Sequence, residues 1–244
     1  MKKKSKRMSN ILKTLDQSLD YDPKDAIVEL KKSCSSLKFD PSFELSLALG
    51  IDLKKLNTTV RGLVSLPAGT GKNIRVAVLC SDKFSEDAKL SGADLVGSVD
   101  LIEEINSGKI NFDVCIATPD MMSHIGKVAR ILGPKKLMPN IKLGTLTTDV
   151  KNAVKASKAG QVEFRADKNN IINIKFGKSS FTTPNLEENF KTLMQNIISA
   201  QPKNTKEQSY LKKIFISYTM GPSLKIKLSY IENFKSKKNL LTTS

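Results

Sequence analysis

The sequence predicts an α/β protein of two domains, in which an α/β segment is inserted into a sheet covered by helices. The chain of 244 residues is long enough to form two hydrophobic cores. Residues 69–159 contain the continuous apolar runs of buried parallel strands, whereas the flanks alternate apolar and polar residues. We therefore expect residues 1–68 and 160–234 to form one discontinuous split domain around the insert, and the two crossings predict a hinge.

The charge of the chain is strongly positive. Forty lysine and arginine residues stand against 24 aspartate and glutamate residues, which gives a formal charge of +16. Residues 69–159 hold only +3 of this charge, so the flanks hold +13. This excess indicates a polyanionic partner, with nucleic acid ahead of an acidic membrane surface. No segment approaches the roughly 18 apolar residues of a membrane span, so we expect no membrane crossing.

Both ends of the chain are rich in lysine. Met1–Arg7 is basic and lacks the apolar core of a secretory signal, which favours an arm that binds phosphate groups. A frayed tail and a basic organellar targeting segment are the alternatives. Residues 235–244 predict a disordered lysine-rich tail.

The first flank predicts a helix and two strands. Asp22 and Pro23 are typical of the N-cap and the first residue of a helix. From Phe43 to Leu49 apolar and polar residues alternate, and Val60–Leu66 predicts a second strand.

The middle segment predicts a parallel sheet with helices on both faces. Ile74–Cys80 and Val114–Ala117 are apolar runs typical of buried strands, and helical patterns occur near residues 86–90, 101–105, 121–132 and 149–159. We expect a doubly wound, Rossmann-like three-layer module. Gly71-Lys72 lacks the first glycine and the following Ser or Thr of a phosphate-binding P-loop, so no nucleotide site is predicted.

Adjacent lysines, Lys135 and Lys136, occupy a loop of the middle segment between two prolines. This loop has two alternative roles: it forms a second RNA contact, or it packs across the cleft between the domains.

The second flank returns to alternating patterns. Gln161–Arg165 and Ile171–Phe176, joined by a turn at residues 167–170, predict a β-hairpin. A helix is predicted from Thr183 to about Ala200, with an apolar stripe of Leu186, Phe190, Leu193 and Ile197.

Two short stretches are the candidate contacts with RNA. A strand over residues 214–217 ends in Thr219-Met220-Gly221-Pro222, where we expect the hydroxyl to bond a ribose or phosphate oxygen, Met220 to pack on a sugar or base, and Gly221 to permit close approach. An ordinary strand followed by a turn is the alternative. Lys38 and Phe39 lie at a predicted helix-to-strand corner, where we expect the lysine to contact a phosphate and the ring to stack on a base. The alternative is that Phe39 caps the hydrophobic core.

Chemistry-bearing side chains are sparse. Cys34, Cys80 and Cys115 are far apart in apolar segments, and the single histidine, His124, has no acidic or thiol residue nearby in the sequence. We expect no catalytic residue, metal site, cofactor or small-molecule substrate. Two competing classes are an enzyme that acts on RNA or nucleotides through the insert, and a protein-binding scaffold, which would leave the charge of the flanks unexplained.

Ten short motifs carry a family resemblance: Lys38-Phe39, Leu49-Gly50-Ile51-Asp52, Val60-Arg61-Gly62, Leu66-Pro67, Gly69-Thr70-Gly71-Lys72, Leu132-Gly133-Pro134, Leu137-Met138-Pro139-Asn140, Phe164-Arg165, Asp167-Lys168 and Thr219-Met220-Gly221. In order and spacing, from about Lys6 to Leu228, the sequence resembles the bacterial form of the family of large-ribosomal-subunit protein one. Asn57-Thr58-Thr59, Lys136, Ile141 and Ala166 depart from the family pattern, which affects the loops around Asn57 and Lys135 more than the two candidate stretches.

The resemblance implies a split domain that binds large-subunit rRNA at a mobile stalk, with a Rossmann-like domain inserted in it. It also implies help in releasing deacylated tRNA from the exit site, repression of the operon's own mRNA, a monomer when free, and residence in the large subunit of a cytoplasmic or an organellar ribosome. The rRNA contacts that it implies are Lys38, Phe39, Glu44, Thr219, Met220 and Gly221. We also predict rRNA contacts at Arg165, Lys168 and Ser223, and Lys135 and Lys136 are the candidates for a second RNA contact.

Overall fold

The computed structural model describes residues 5–16, 18–35, 37–50, 60–202 and 210–230. The chain divides into two compact units. Unit 1 lies within Met1–Gly71 and Val162–Ser244, and unit 2 is Lys72–Gln161. The predicted arm residues 1–4, the loop around Asn57 and the predicted tail, residues 235–244, lie outside the described residues.

Helices and strands are numbered in chain order. The first flank contains α1 (Lys6–Thr14), β1 (Asp20–Tyr21), α2 (Pro23–Cys34), β2 (Ser42–Leu49) and β3 (Arg61–Ser65). Then follow β4 (Val76–Leu79), α3 (Asp82–Leu90), β5 (Leu95–Gly97), α4 (Val99–Asn106), β6 (Val114–Ala117), α5 (Met122–Leu132) and α6 (Val150–Lys158). The second flank contains β7 (Gln161–Arg165), β8 (Ile171–Lys178), α7 (Thr183–Ser199), β9 (Leu211–Tyr218) and β10 (Ser223–Ile226). Within the described ranges, no helix is long and apolar enough to cross a membrane.

Unit 1 is built on a five-stranded sheet in the order β1, β10, β9, β2, β8. β1 runs parallel to β10, and β2, β8, β9 and β10 pair antiparallel. The predicted alternation in β2 is confirmed, because Phe43, Leu45, Leu47 and Leu49 are buried and the residues between them are half-buried. α2 and α7 pack on the buried face, so this sheet and its two helices share one hydrophobic core.

The two helices that pack on the sheet, α2 and α7, begin close to the predicted residues, whereas α1 was not predicted. Asp22 is the N-cap of α2 and Pro23 lies in its first turn, although the Asp22 side chain makes no capping hydrogen bond. Thr182 caps α7 through a hydrogen bond that its hydroxyl accepts from the Asn185 N–H, and the predicted apolar stripe of α7 is buried. Local capping chemistry and periodicity were therefore sufficient to place both helices.

The predicted hairpin of β7 and β8 is wrong in its pairing. β7 pairs with β3 in a separate two-stranded sheet, while β8 pairs with β2. The expected turn does form, with Asn170 in the left-handed conformation and an isolated bridge between Ala166 and Ile172. β7 diverges because the Phe164 ring packs against β3, where a Cβ added to Gly62 would lie 2.7 Å from the ring. Burial of Phe164 therefore selects the partner strand.

Unit 2 is a three-stranded parallel sheet in the order β5, β4, β6 with helices on both faces. α4 and α5 pack on one face around Ala77 and Leu79, and α3 and α6 pack on the other around Val76 and Val78. The doubly wound α/β expectation is confirmed. The sequence reasoning missed β5, because Leu95–Gly97 is three residues long and lacks an apolar run long enough to predict a strand.

A buried polar side chain fixes the end of the first flank. Asn189 on α7 is fully buried and its Oδ1 accepts a hydrogen bond from the Ala68 N–H at 3.0 Å. Its amide group donates to the carbonyls of Gly69 at 3.0 Å and of Phe176 at 2.8 Å. The backbone of residues 68–69 thus satisfies its polar groups on a helix side chain rather than on solvent.

Asn189→Leu should lower the free energy of unfolding of unit 1 by roughly 2 to 4 kcal/mol, because three backbone groups lose their partner inside the core. Denaturant titration followed by the signals of unit 1 measures this loss. Asn196→Ala on the exposed side of the same helix is the matched control and should cost about 0.5 kcal/mol or less. Equal effects of the two substitutions would contradict the role given to Asn189.

Asp113 holds the amino-terminal segment of unit 2. Its Oδ1 lies 2.6 Å from Lys72 Nζ, and its Oδ2 accepts a hydrogen bond from the Arg75 N–H at 3.2 Å. The bond from Lys72, and then that from the Arg75 backbone, keep the pKa of Asp113 below its usual value. A lowered pKa in the folded state means that the carboxylate stabilises unit 2 at neutral pH and loses this effect as the pH falls through its range.

Asp113→Asn should therefore reduce the stability of unit 2 at neutral pH by about 1 kcal/mol, and the difference from the unchanged chain should shrink below about pH 4. Denaturant titrations at several pH values, followed by amide signals of unit 2, measure the difference. Glu104→Gln is the control, because Glu104 is an exposed residue of α4. It should leave the stability of unit 2 nearly unchanged at every pH. A pH-independent loss for Asp113→Asn would argue against the linkage.

Candidate nucleic-acid interface

The ends of two central strands meet at one edge of unit 1. β2 and β9 are antiparallel neighbours, so the first residues of β2 lie beside the last residues of β9. The Thr219 N–H donates to the Ser42 carbonyl at 3.0 Å, and the Ser42 N–H donates to Thr219 Oγ1 at 3.2 Å. We refer to residues 38–42 and 219–223 together as the rim.

The rim exposes two large apolar side chains. Phe39 is 49% exposed and Met220 is 70% exposed, so Phe39 does not cap the core. Lys38 beside them is also exposed. A ring, a thioether and a cation at one end of a sheet suit a partner that offers base or sugar faces together with phosphates. Both candidate stretches of the sequence therefore lie at the same edge of unit 1.

Thr219 is engaged within the protein. Its hydroxyl accepts from the Ser42 N–H and also donates to the Ser42 carbonyl at 3.3 Å. The expectation that this hydroxyl bonds a ribose or phosphate oxygen stays a prediction, and the structure adds that the same hydroxyl exchanges hydrogen bonds with the Ser42 backbone. Thr219 thus ties the end of β9 to the start of β2 and keeps the two parts of the rim in register.

Gly221 has an internal reason to lack a side chain. A Cβ at this position would lie 2.3 Å from Cζ of Tyr218, whose ring is buried. Gly221 itself does not adopt a left-handed backbone conformation, but Met220 does, with φ 66°. This conformation costs a residue with a side chain about 1 to 2 kcal/mol. Close approach of a ligand stays the predicted reason for the glycine, and the Tyr218 ring is a second reason within the protein.

Gly221→Ala should destabilise unit 1 by about 1 to 3 kcal/mol, because the buried Tyr218 ring cannot yield without disturbing the core. Thermal or chemical unfolding of the full chain measures the effect. Gly126→Ala is the contrasting control, since a Cβ on this exposed residue of α5 meets nothing within 4 Å and should stabilise unit 2 by about 0.5 to 1 kcal/mol. A neutral Gly221→Ala would show that the ring moves freely.

Polar residues continue from the rim across the sheet face opposite α2 and α7. Glu44 on β2 is paired with Ser217 on one side and with Lys175 on the other, and Ser217 is paired with Ser223. Glu44 and Ser223, two predicted contacts, therefore belong to one row of side chains across four strands. The alternation of β2 predicted the orientation of Glu44, but its neighbours depend on pairing between distant segments.

A second row was missed by the sequence reasoning. Phe215 on β9 is half-buried and is paired with Lys225 on one side and with Ser46 on the other. Ser46 is paired in turn with Asn173 and donates a hydrogen bond to its Oδ1 at 2.8 Å. The alternation of apolar and polar faces in β9 could have predicted this position, because it places Phe215 on the face opposite the buried Ile214 and Ile216. The lysine and amide beside it depend on strand register.

Arg165 and Lys168 are not brought to the rim. Both are exposed and precede β8, whose first residue, Ile171, is paired with Ala48. The other end of β8 is paired with Ser42 at the rim. Six residues of strand separate the two ends, which corresponds to about 20 Å. Arg165 and Lys168 therefore lie near the end of β8 that is away from the rim.

Lys135 and Lys136 belong to unit 2. Both are exposed in the loop after α5, and the Lys136 N–H donates to the Gly133 carbonyl at 3.0 Å. Lys136 has φ 59°, a conformation that a glycine would adopt without strain. This is the position at which the sequence departs from the glycine of the family pattern.

The residues with catalytic potential are dispersed. In the part of the chain that the structure describes, no three His, Cys, Asp or Glu side chains are grouped so as to hold a metal ion. His124 is exposed on α5. Cys34, Cys80 and Cys115 are buried free thiols, and burial raises the pKa of Cys115 to about 12. A thiol of this kind is almost entirely protonated at neutral pH and is a poor nucleophile.

These features define a two-unit α/β protein whose discontinuous unit presents a partly apolar rim beside the exposed Lys38. A model of the Ribosomal protein L1p/L10e family matches residues 30–222. The chain is 56% identical over 204 residues to "Large ribosomal subunit protein uL1" of Rickettsia akari (strain Hartford) and to that of Rickettsia bellii (strain OSU 85-389), with 84% of this chain and 85% of each relative covered. The chain belongs to the ribosomal protein L1 family, as a large-subunit protein of the bacterial uL1 type.

Proposed function

We propose that this protein is a structural component of the large ribosomal subunit that binds large-subunit rRNA through the rim of unit 1. The observation that carries the proposal is the joint exposure of Phe39 and Met220 at one end of the central strands. Family membership supports rRNA as the partner, and the +13 charge of the flanks supports a polyanion. The proposal assigns no reaction to the protein.

Recognition by shape is the mechanism that this geometry favours. Phe39 stacks on an unpaired base, while Met220 packs against a sugar or a base face. Thr219 holds the turn in place, and the row of Glu44, Ser217 and Ser223 offers polar groups to the ribose hydroxyls behind it. Lysines such as Lys38 contribute affinity with little selectivity, since phosphates carry no sequence information.

Arg165 and Lys168 enter the proposal as a second phosphate contact on a different part of the rRNA. Their distance from the rim along β8 supports two separate contacts on a folded RNA rather than one binding pocket. Lys135 and Lys136 are proposed as a further RNA contact from unit 2.

The proposal includes the two finer roles implied by the family. A stalk bound in this way would move with deacylated tRNA as it leaves the exit site. A rim that recognises an rRNA fold by shape would also bind a similar fold in the protein's own mRNA and repress its translation. The proposed location is the ribosome of a bacterial cytoplasm, with an organellar ribosome as the alternative, and the free protein is a monomer.

Phe39→Ala should weaken binding to protein-free large-subunit rRNA by roughly tenfold, because base stacking contributes about 1 to 3 kcal/mol. The slope of log affinity against log salt should stay unchanged, since no charge is removed. Lys38→Gln should instead reduce that slope by about one unit. Filter binding or gel shift over a range of salt concentrations measures both quantities.

Leu90→Ala is the control for the loss of an exposed apolar side chain, because Leu90 is 84% exposed on α3 of unit 2. Its rRNA affinity should equal that of the unchanged chain. The proposal fails if the unchanged chain does not bind rRNA above a non-ribosomal RNA of equal length, or if Phe39→Ala and Leu90→Ala bind equally well.

A further inference from the structure

The turn after β9 is held at a single backbone atom by a side chain from the other end of the chain. Arg7 on α1 donates a hydrogen bond from Nη2 to the carbonyl of Met220 at 2.6 Å. The two residues are 213 positions apart in the sequence. Arg7 belongs to the basic segment for which a phosphate-binding arm and a frayed tail were the two leading interpretations.

α1 is a capped helix with buried residues near its C-terminal end. The Ser5 side chain accepts a hydrogen bond from the Met8 N–H at 3.3 Å and caps the helix. Ile11 and Leu15 are buried at the other end of the helix. Residues 5–15 are therefore a docked helix rather than a frayed tail.

Arg7 is half-buried, with part of its guanidinium against the protein. Its second terminal nitrogen, Nη1, is buried and has no hydrogen-bond partner among the described residues. A group that displays its charge to phosphates would keep both terminal nitrogens accessible. The hydrogen bond to the Met220 carbonyl thus holds the Arg7 guanidinium at the turn.

Met220 needs such a contact because its backbone is strained. It adopts φ 66°, and its side chain is too exposed to hold the turn by packing. Thr219 before it is tied to Ser42, and the Gly221 N–H after it donates to the Tyr218 carbonyl at 2.8 Å. The Met220 carbonyl lies between the Thr219–Ser42 bonds and the Gly221–Tyr218 bond, and the hydrogen bond from Arg7 fixes this carbonyl. A charge-assisted bond of this length is stronger than a neutral one.

We propose that Arg7 is a positioning residue for RNA binding, which holds the Met220 turn in its binding conformation through the Met220 carbonyl. This inference rests on the proposed function of the rim and adds α1 to it. The docked helix removes conformational freedom from the turn before RNA arrives, so less of the binding free energy is lost on ordering it. Docking of α1 and binding of RNA are then coupled.

The test compares Arg7→Gln with Lys6→Gln in the full chain. Lys6 is the adjacent exposed residue of α1, so the two substitutions remove the same charge from the same helix. Arg7→Gln should bind protein-free large-subunit rRNA about tenfold more weakly at every salt concentration, with the salt slope of the unchanged chain. Lys6→Gln should lose no more than about twofold. Circular dichroism and thermal unfolding establish that both variants are folded.

Amide hydrogen exchange in the absence of RNA provides a readout of the turn itself. Exchange of the Gly221 N–H should be about tenfold faster in Arg7→Gln and unchanged in Lys6→Gln, because, of these two side chains, it is Arg7 that bonds the Met220 carbonyl of the same peptide group. If the unchanged chain does not bind rRNA, the proposed function fails and this exchange measurement still decides whether Arg7 holds the turn.

Three results would overturn the inference. The first is an Arg7→Gln variant that binds rRNA as tightly as the unchanged chain. The second is a loss of affinity accompanied by a salt slope smaller by about one unit, which would make Arg7 a phosphate contact. The third is unchanged exchange of the Gly221 N–H in Arg7→Gln.

Discussion

The antiparallel pairing of β2 with β9 is the constraint on which the rest of unit 1 depends. It joins residues 42–49 to residues 211–218 at the centre of the five-stranded sheet, across the whole of the inserted unit. Because paired strands run in opposite directions, the start of one and the end of the other must share an edge. The exposed ring of Phe39 and the exposed thioether of Met220 are brought to one place by this pairing.

The rim is shaped by contacts that point inward. The Thr219 hydroxyl donates a hydrogen bond to the Ser42 carbonyl, and the buried ring of Tyr218 excludes any side chain at position 221. The strained conformation of Met220 persists between these restraints, as expected where the surrounding structure determines the backbone more strongly than local preference does. Thr219 and Gly221 thus stabilise the conformation of the turn, and Met220 is the residue of the Thr-Met-Gly motif whose side chain is exposed.

The two faces of the five-stranded sheet also differ in burial. One face is buried under α2 and α7 and supplies rigidity, while the opposite face alternates with it and carries serines, lysines, Asn173 and Phe215. A rigid sheet that presents polar groups in register suits a partner recognised by shape. Arg165 and Lys168 lie away from the rim, near the first residue of β8.

The sequence by itself determined the α/β class, the alternation of β2, both helices on the sheet and the doubly wound insert, because periodicity and capping act over a few residues. It also identified Phe39 and Met220, whose flanking glycine, prolines and lysine mark strand ends. The tertiary structure decided that β7 joins β3 rather than β8, that Asn189 ties residues 68–69 to α7, and that Arg7 reaches the Met220 carbonyl. These outcomes depend on burial and on bonds between residues up to 213 positions apart, and no local pattern encodes which distant partner a side chain will meet.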